Sequence, residues 1–107
     1  MEETNKILKS EISARTLKLI VEGLSALSNE SRVNITRYIQ ENNKVSFETI
    51  RRNLNMNNNT LNFHLQKLMK AHIISQPKDR GPYEIDPLGN EMIELLNVLE
   101  SSIMELI

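Results

Sequence analysis

All three prolines of this 107-residue chain, Pro77, Pro82 and Pro87, fall in one stretch of eleven residues. Proline lacks an amide hydrogen and clashes with the preceding helical turn, so it excludes helix interior and central strand alike. Breaks in helix are thereby gathered into one place, and the apolar residues on either side recur at helical spacing. Aromatic content is only 4%. The core must therefore be built from Leu, Ile, Val and Met, which favours helix packing. The expected fold is mainly α with a short β-hairpin, in one domain spanning 1–107.

Along residues 4–27, Ile7, Leu8, Ile12, Leu17, Ile20, Leu24 and Leu27 mark a first helix. Its early turns have little to bury against in so small a domain, so they either fray or dock on a second copy. Gly23 marks a bend or a close helix approach. Ser28-Asn29-Glu30-Ser31 then supplies capping residues. A second helix from about Ser31 to Glu41 follows, with Val33, Ile35, Tyr38 and Ile39 on its apolar side and Arg32 and Arg37 available to solvent or phosphate.

After a turn at Asn42-Asn43-Lys44, Ser46 caps a short third helix with Phe47, Ile50 and Leu54 inward and Arg51 and Arg52 outward. Asn55-Met56-Asn57 leaves room only for a tight turn. The next helix, 57–72, puts Leu61, Leu65, Leu68 and His72 on one narrow face. Asn59, Thr60, Phe63, Gln66, Lys67 and Lys70 point the other way, and no carboxylate lies among them. A merely solvated helix mixes Glu with its Lys. Two short helices, the second with a carboxylate-free polar face, describe a helix-turn-helix over 31–75 whose second helix suits the phosphate-lined major groove. Asn62 and Gln66 have the amides that pair with adenine edges, and Phe63 can meet thymine methyls or fold back on Tyr83.

Ile73-Ile74-Ser75-Gln76 and Tyr83-Glu84-Ile85 are short strand candidates about a turn at Asp79 to Gly81. A hairpin over 73–86 directly after such a helix is a wing, with Arg80 near its tip where a cation enters a minor groove. Asp86-Pro87 reads as an N-cap acid followed by proline at the first helical position. In the terminal helix, 87–107, Met92, Leu96, Leu99, Ile103 and Leu106 form a 4-3-4-3 seam, widened by Leu88, Ile93, Leu95, Val98, Met104 and Ile107. So much apolar circumference asks for a second subunit.

Formal charge is -1 overall but unevenly placed. Residues 1–30 carry four bases and five acids, residues 31–80 nine bases and three acids, and residues 81–107 six acids and no base. The sums are -1, +6 and -6, and the basic middle coincides with the helix-turn-helix, where counterion release from a polyanion would be engaged. Nothing points to an enzyme. The three glycines are far apart, and no nucleophile elbow or convergent pair of carboxylates is present. There is no cysteine, hence no disulfide or thiolate metal site. No long apolar run is present, and the start from Met1 to Lys6 is polar, unlike a signal peptide. A cytoplasmic protein without membrane, metal or cofactor is expected.

Gly23-Leu24-Ser25-Ala26-Leu27-Ser28-Asn29-Glu30-Ser31-Arg32-Val33-Asn34-Ile35 resembles the "ALadptRlrIL" entry to the second helix of the ArsR-like winged-helix regulators of bacteria and archaea. Asn59-Thr60-Leu61-Asn62-Phe63-His64-Leu65-Gln66-Lys67-Leu68, with Ala71-His72-Ile73-Ile74, resembles their "stvSxHLxxLxxaGLv" recognition helix. The similarity covers residues 23–89 in order. It implies a winged helix-turn-helix regulator of transcription whose long first and last helices form a homodimer, with a recognition helix per subunit in successive major grooves of double-stranded DNA. Carried across, the DNA-facing residues are Asn59, Thr60, Asn62, Phe63, His64 and Lys67, with Arg80 in the wing and Arg32 reaching a phosphate. Gln66 and Lys70 join them from the outer face, and Ile12, Met92, Leu96, Leu99, Ile103 and Leu106 are the dimer candidates. The family's Cys-x-Cys is missing from the third helix, and the terminal helix has no histidine, so metal sensing is not expected. Where a glycine usually ends the recognition helix, this chain has His72.

His64, off the centre of the buried sector, suits a partly buried structural role with a backbone contact. His72 suits carbonyl capping at a helix end, and for Arg32 an ion pair with Glu30 or Glu41 is the ordinary alternative. Two rival functions fit the same shape: a winged-helix module that holds protein in the transcription machinery, supported by Phe63, and an architectural DNA-binding protein.

Overall fold

The computed structural model describes residues 2–107, with side chains from Glu3 onward. Met1, part of the polar start noted above, lies outside the described residues. Three small polar side chains set where the middle helices begin. Asn29 Oδ1 accepts from the amide of Arg32 at 3.0 Å and opens α2 (Glu30–Asn42). Ser46 Oγ accepts from Thr49 at 3.2 Å and opens α3 (Phe47–Asn53). Asn57 Oδ1 accepts from Asn59 at 2.8 Å and from Thr60 at 3.4 Å, opening α4 (Asn58–Lys70). Each cap satisfies first-turn amides that the helix itself leaves free. The long α1 (Glu2–Ala26) precedes them, and α5 (Pro87–Leu106) ends the chain.

Between α4 and α5 lies the hairpin, β1 (Ile74–Ser75) and β2 (Glu84–Ile85), antiparallel with Ile74 opposite Ile85 and Ser75 opposite Glu84. The strands are shorter than the candidates read from sequence. Tyr83 does not continue the hairpin. It pairs instead with Val45, whose amide donates to the Tyr83 carbonyl at 3.0 Å and whose carbonyl accepts from the Tyr83 amide at 2.7 Å. The segment between α2 and α3 thus joins the wing as a third pairing position.

Both helices of the helix-turn-helix end by the same device. At α4, the amides of His72 and Ile73 donate to the carbonyls of Met69 and Leu68, each at 3.0 Å, and His72 adopts φ 61°. At α3, Asn55 and Met56 donate to Arg52 and Arg51, and Asn55 adopts φ 51°. This is a Schellman closure, and the left-handed residue it needs is usually glycine. The helix therefore stops short of the expected 72, and His72, expected inward, is exposed.

The core is a single cluster in which Ile35, Ile39, Ile50, Leu61, Leu65, Leu68 and Ile73 are fully buried. Burying each side chain of this size is worth roughly 1.5–3 kcal/mol. Three expectations are corrected here. Met92, assigned to the dimer seam, is 7% exposed and packs at Gly23 within the chain, so it is not free for a partner. Asp86 stands at the start of α5, but its side chain makes no cap bond; its amide instead donates to Ile73 at 2.9 Å. Arg37 is not free for phosphate, because its Nη2 bonds Asn97 Oδ1 and Glu100 Oε2, both at 2.9 Å. The expected close approach at Gly23 is present.

Of the three glycines, Gly89 has the closest backbone neighbour: a methyl group there would overlap the carbonyl oxygen of Ile73. Backbone cannot retreat as a flexible side chain can. Gly89→Ala is expected to lower stability by about 2–4 kcal/mol through overpacking. Chemical denaturation of the purified variant measures this, and an unchanged midpoint would contradict the packing described.

Candidate nucleic-acid interface

The two faces of α4 separate as the leucine spacing requires. Leu61, Leu65 and Leu68 are fully buried, whereas Asn59, Thr60, Asn62, Phe63, Gln66, Lys67 and Lys70 are exposed. Neither Asp nor Glu occurs anywhere in the helix. Phe63 is 55% exposed in mid-face, its ring edge-on to the His64 imidazole at 5.7 Å, with Lys67 Nζ 5.5 Å from its centroid. It does not fold onto Tyr83, which is buried in the core. Lys67 and Lys70 stand in the last turn, where cations also favour the negative end of the helix dipole.

Two of the proposed contacts point elsewhere. His64 is 8% exposed and presents Nδ1 to Arg32 Nη1 at 3.3 Å, so it faces the body of the domain and leaves the outer face. Arg32 is half-buried and turned inward, its Nε donating to the Ala26 carbonyl at 2.6 Å. It makes no ion pair with Glu30 or Glu41. The arginine instead ties the end of α1 and the start of α2 to the inner side of α4.

Arg80 is exposed in the turn between the strands, also at positive φ, 61°. On α3 the cations are partly neutralised. Arg51 forms a two-point pair with Glu48 at 2.6 and 3.0 Å, and Arg52 Nε stands 3.8 Å from the same carboxylate. The Arg51 hydrogen bond holds the Glu48 carboxyl below its usual range. The unpaired basic surface among the described residues therefore includes Lys67, Lys70 and Arg80 but not Arg51 or Arg37. Sequence reasoning missed that Glu22, Ser25, Ala26 and Ala71 border the same cleft as Arg32, Lys67 and Lys70. That grouping arises from how α1 crosses α4, which no local signal encodes.

Among the described residues no group of three or more His, Asp or Glu is arranged to hold a metal ion. None of the described helices is long and apolar enough to cross a membrane.

A helix-turn-helix followed by a two-stranded hairpin and flanked by long helices is a winged-helix domain. The chain belongs to the family described as a domain of unknown function, DUF7347, whose model matches residues 21–96. No curated protein matches the sequence. Among solved structures, a MarR family protein from Bacillus stearothermophilus superposes with a TM-score of 0.62 at 13% identity, over 99% of this chain and 79% of that one. At that identity the likeness speaks for the fold.

Burial and the neighbouring Arg32 charge, in that order, lower the pKa of His64 from its ordinary 6.5. The unfolded chain then binds a proton that the folded chain refuses. Stability is fully present above about pH 6.5 and declines as pH falls toward the depressed folded value. Thermal melts from pH 7.5 downward should show this loss, and His64→Gln should flatten it; an unchanged slope in that variant would reject the assignment.

Proposed function

We propose that this protein is a transcription regulator that binds double-stranded DNA as a homodimer, with α4 in the major groove. The observation that carries the reading is the outer face of α4: seven exposed side chains able to donate hydrogen bonds, bear charge or stack, with no acid in the helix. Base edges would be read by Asn59, Thr60, Asn62 and Gln66, thymine methyls met by Phe63, and phosphates held by Lys67, Lys70 and Arg80. Within the winged-helix class, the ArsR-like subclass is our reading of the two quoted motifs.

The second subunit is inferred from apolar surface that one chain leaves uncovered. Residues 3–22 of α1 are exposed along their whole length, Ile12 at 62% among them. On α5 the exposed residues are Leu99 at 52%, Ile103 at 47% and Leu106 at 84%, with Leu96 half-buried. Such surface is large for a lone domain, and pairing of two copies would bury it.

Fluorescence anisotropy on random and selected duplexes tests the reading. Affinity should fall with salt at a slope of about -0.9 per phosphate contact. Lys67→Ala should weaken all sequences alike, by roughly 1 kcal/mol, whereas Asn62→Ala should change which sequence is preferred. Binding that ignores salt would refute it. A second reading, a module that holds protein, is favoured by the exposed Phe63 ring; failure to bind any duplex at low salt would select it.

The dimer has its own measurement. Leu99→Glu combined with Ile103→Glu should give a monomer in light scattering, with DNA affinity reduced about a hundredfold through lost bivalency. A wild-type protein of monomer mass would exclude the proposed assembly.

A further inference from the structure

The end of α1, the start of α2 and the end of α4 enclose a cleft of about 360 Å³ lined by Glu22, Ser25, Ala26, Arg32, Lys67, Lys70 and Ala71. Its charge is lopsided. Three cations face one carboxylate, so 3 − 1 leaves two positive charges, and none of the three cations takes part in an ion pair among the described residues. Elsewhere Arg37, Lys44, Arg51 and Arg52 each have a carboxylate within 4.0 Å.

Arg32 is the informative member. Its Nε is taken by Ala26 and its Nη1 faces His64, while Nη2 has no partner among the described residues. No fully buried side-chain polar atom of the described residues lacks a partner, so this nitrogen keeps some contact with solvent. A half-buried guanidinium, oriented by two fixed contacts, thus offers a donor that nothing in the domain uses. Several carbonyls near the cleft are already engaged: Ala26 by Arg32, Ser25 by Ser28 Oγ, and Lys67, Met69 and Leu68 by the amides of Ala71, His72 and Ile73.

We propose that this cleft is an anion site that takes a phosphate group, held between the free Arg32 donor and the Lys67 and Lys70 ammoniums. The local excess of positive charge favours an anion, and the tetrahedral oxygens of a phosphate accept from donors arriving from several directions. Two sources present that chemistry: the DNA backbone and a free phosphorylated small molecule. The regulatory meaning rests on the DNA-binding reading above, because Lys67 and Lys70 serve both; the site itself does not.

Inorganic pyrophosphate is the probe, titrated into the isolated protein and followed by amide NMR shifts, with sodium chloride of equal ionic strength as control. Saturable shifts at Ala26 and Ala71 are expected. Lys70→Ala, an exposed position, should weaken binding about tenfold, and Glu22→Gln should tighten it about threefold. Shifts that only follow ionic strength, or that are the same in both variants as in the parent, would overturn the proposal. Repeating the titration on the duplex complex separates the sources. Loss of the pyrophosphate site there means the backbone phosphate occupies it, and retention means a free ligand does. If no duplex binds at all, the regulator reading fails while the titration of the protein alone still decides the cleft.

Discussion

Ile73 is where the fold is fastened. Its amide closes the end of α4 on Leu68, its carbonyl accepts from Asp86 to start α5, and its fully buried side chain reaches the space beside Gly23 of α1. Gly89 lies against the same carbonyl. One residue therefore sets the angle between the helix that carries the outer polar face and the two long helices that flank the domain. The strand it leads into is only two residues long, so this junction, more than the hairpin, determines how α4 is presented.

The architecture was largely legible because its signals are local. Asn29, Ser46 and Asn57 announce helix starts by their own side chains, and the Leu61, Leu65, Leu68 spacing fixes which face of α4 is buried. What misled was chemistry that stands in for another residue. His72 occupies a left-handed position where glycine is expected, so the end of α4 read as continuing and His72 as inward. Met92 fits the heptad seam of α5 by spacing alone, yet the missing side chain at Gly23 opens the space into which it packs. The pairing of Val45 with Tyr83 joins residues far apart in sequence, and two residues of strand carry no periodicity to detect.

The outer face of α4 has a simpler explanation that must be weighed. Lys67 and Lys70 in a last turn stabilise a helix through its dipole, by roughly 0.3–1 kcal/mol each at the surface. That accounts for two cations and for nothing else on the face. It does not account for Arg32, which sits off the helix, half-buried, in no ion pair among the described residues, beside a histidine whose neutral form the site favours. A partly desolvated charge outside any direct ion pair costs free energy, and a second cation at His64 would raise the cost. Replacing Arg32 by an apolar side chain would relieve that penalty and would equally lose the tie to Ala26. A neutral hydrogen-bond donor would keep the tie without the charge. No ion pair among the described residues uses the positive charge of Arg32, and it faces the same cleft as the two lysines.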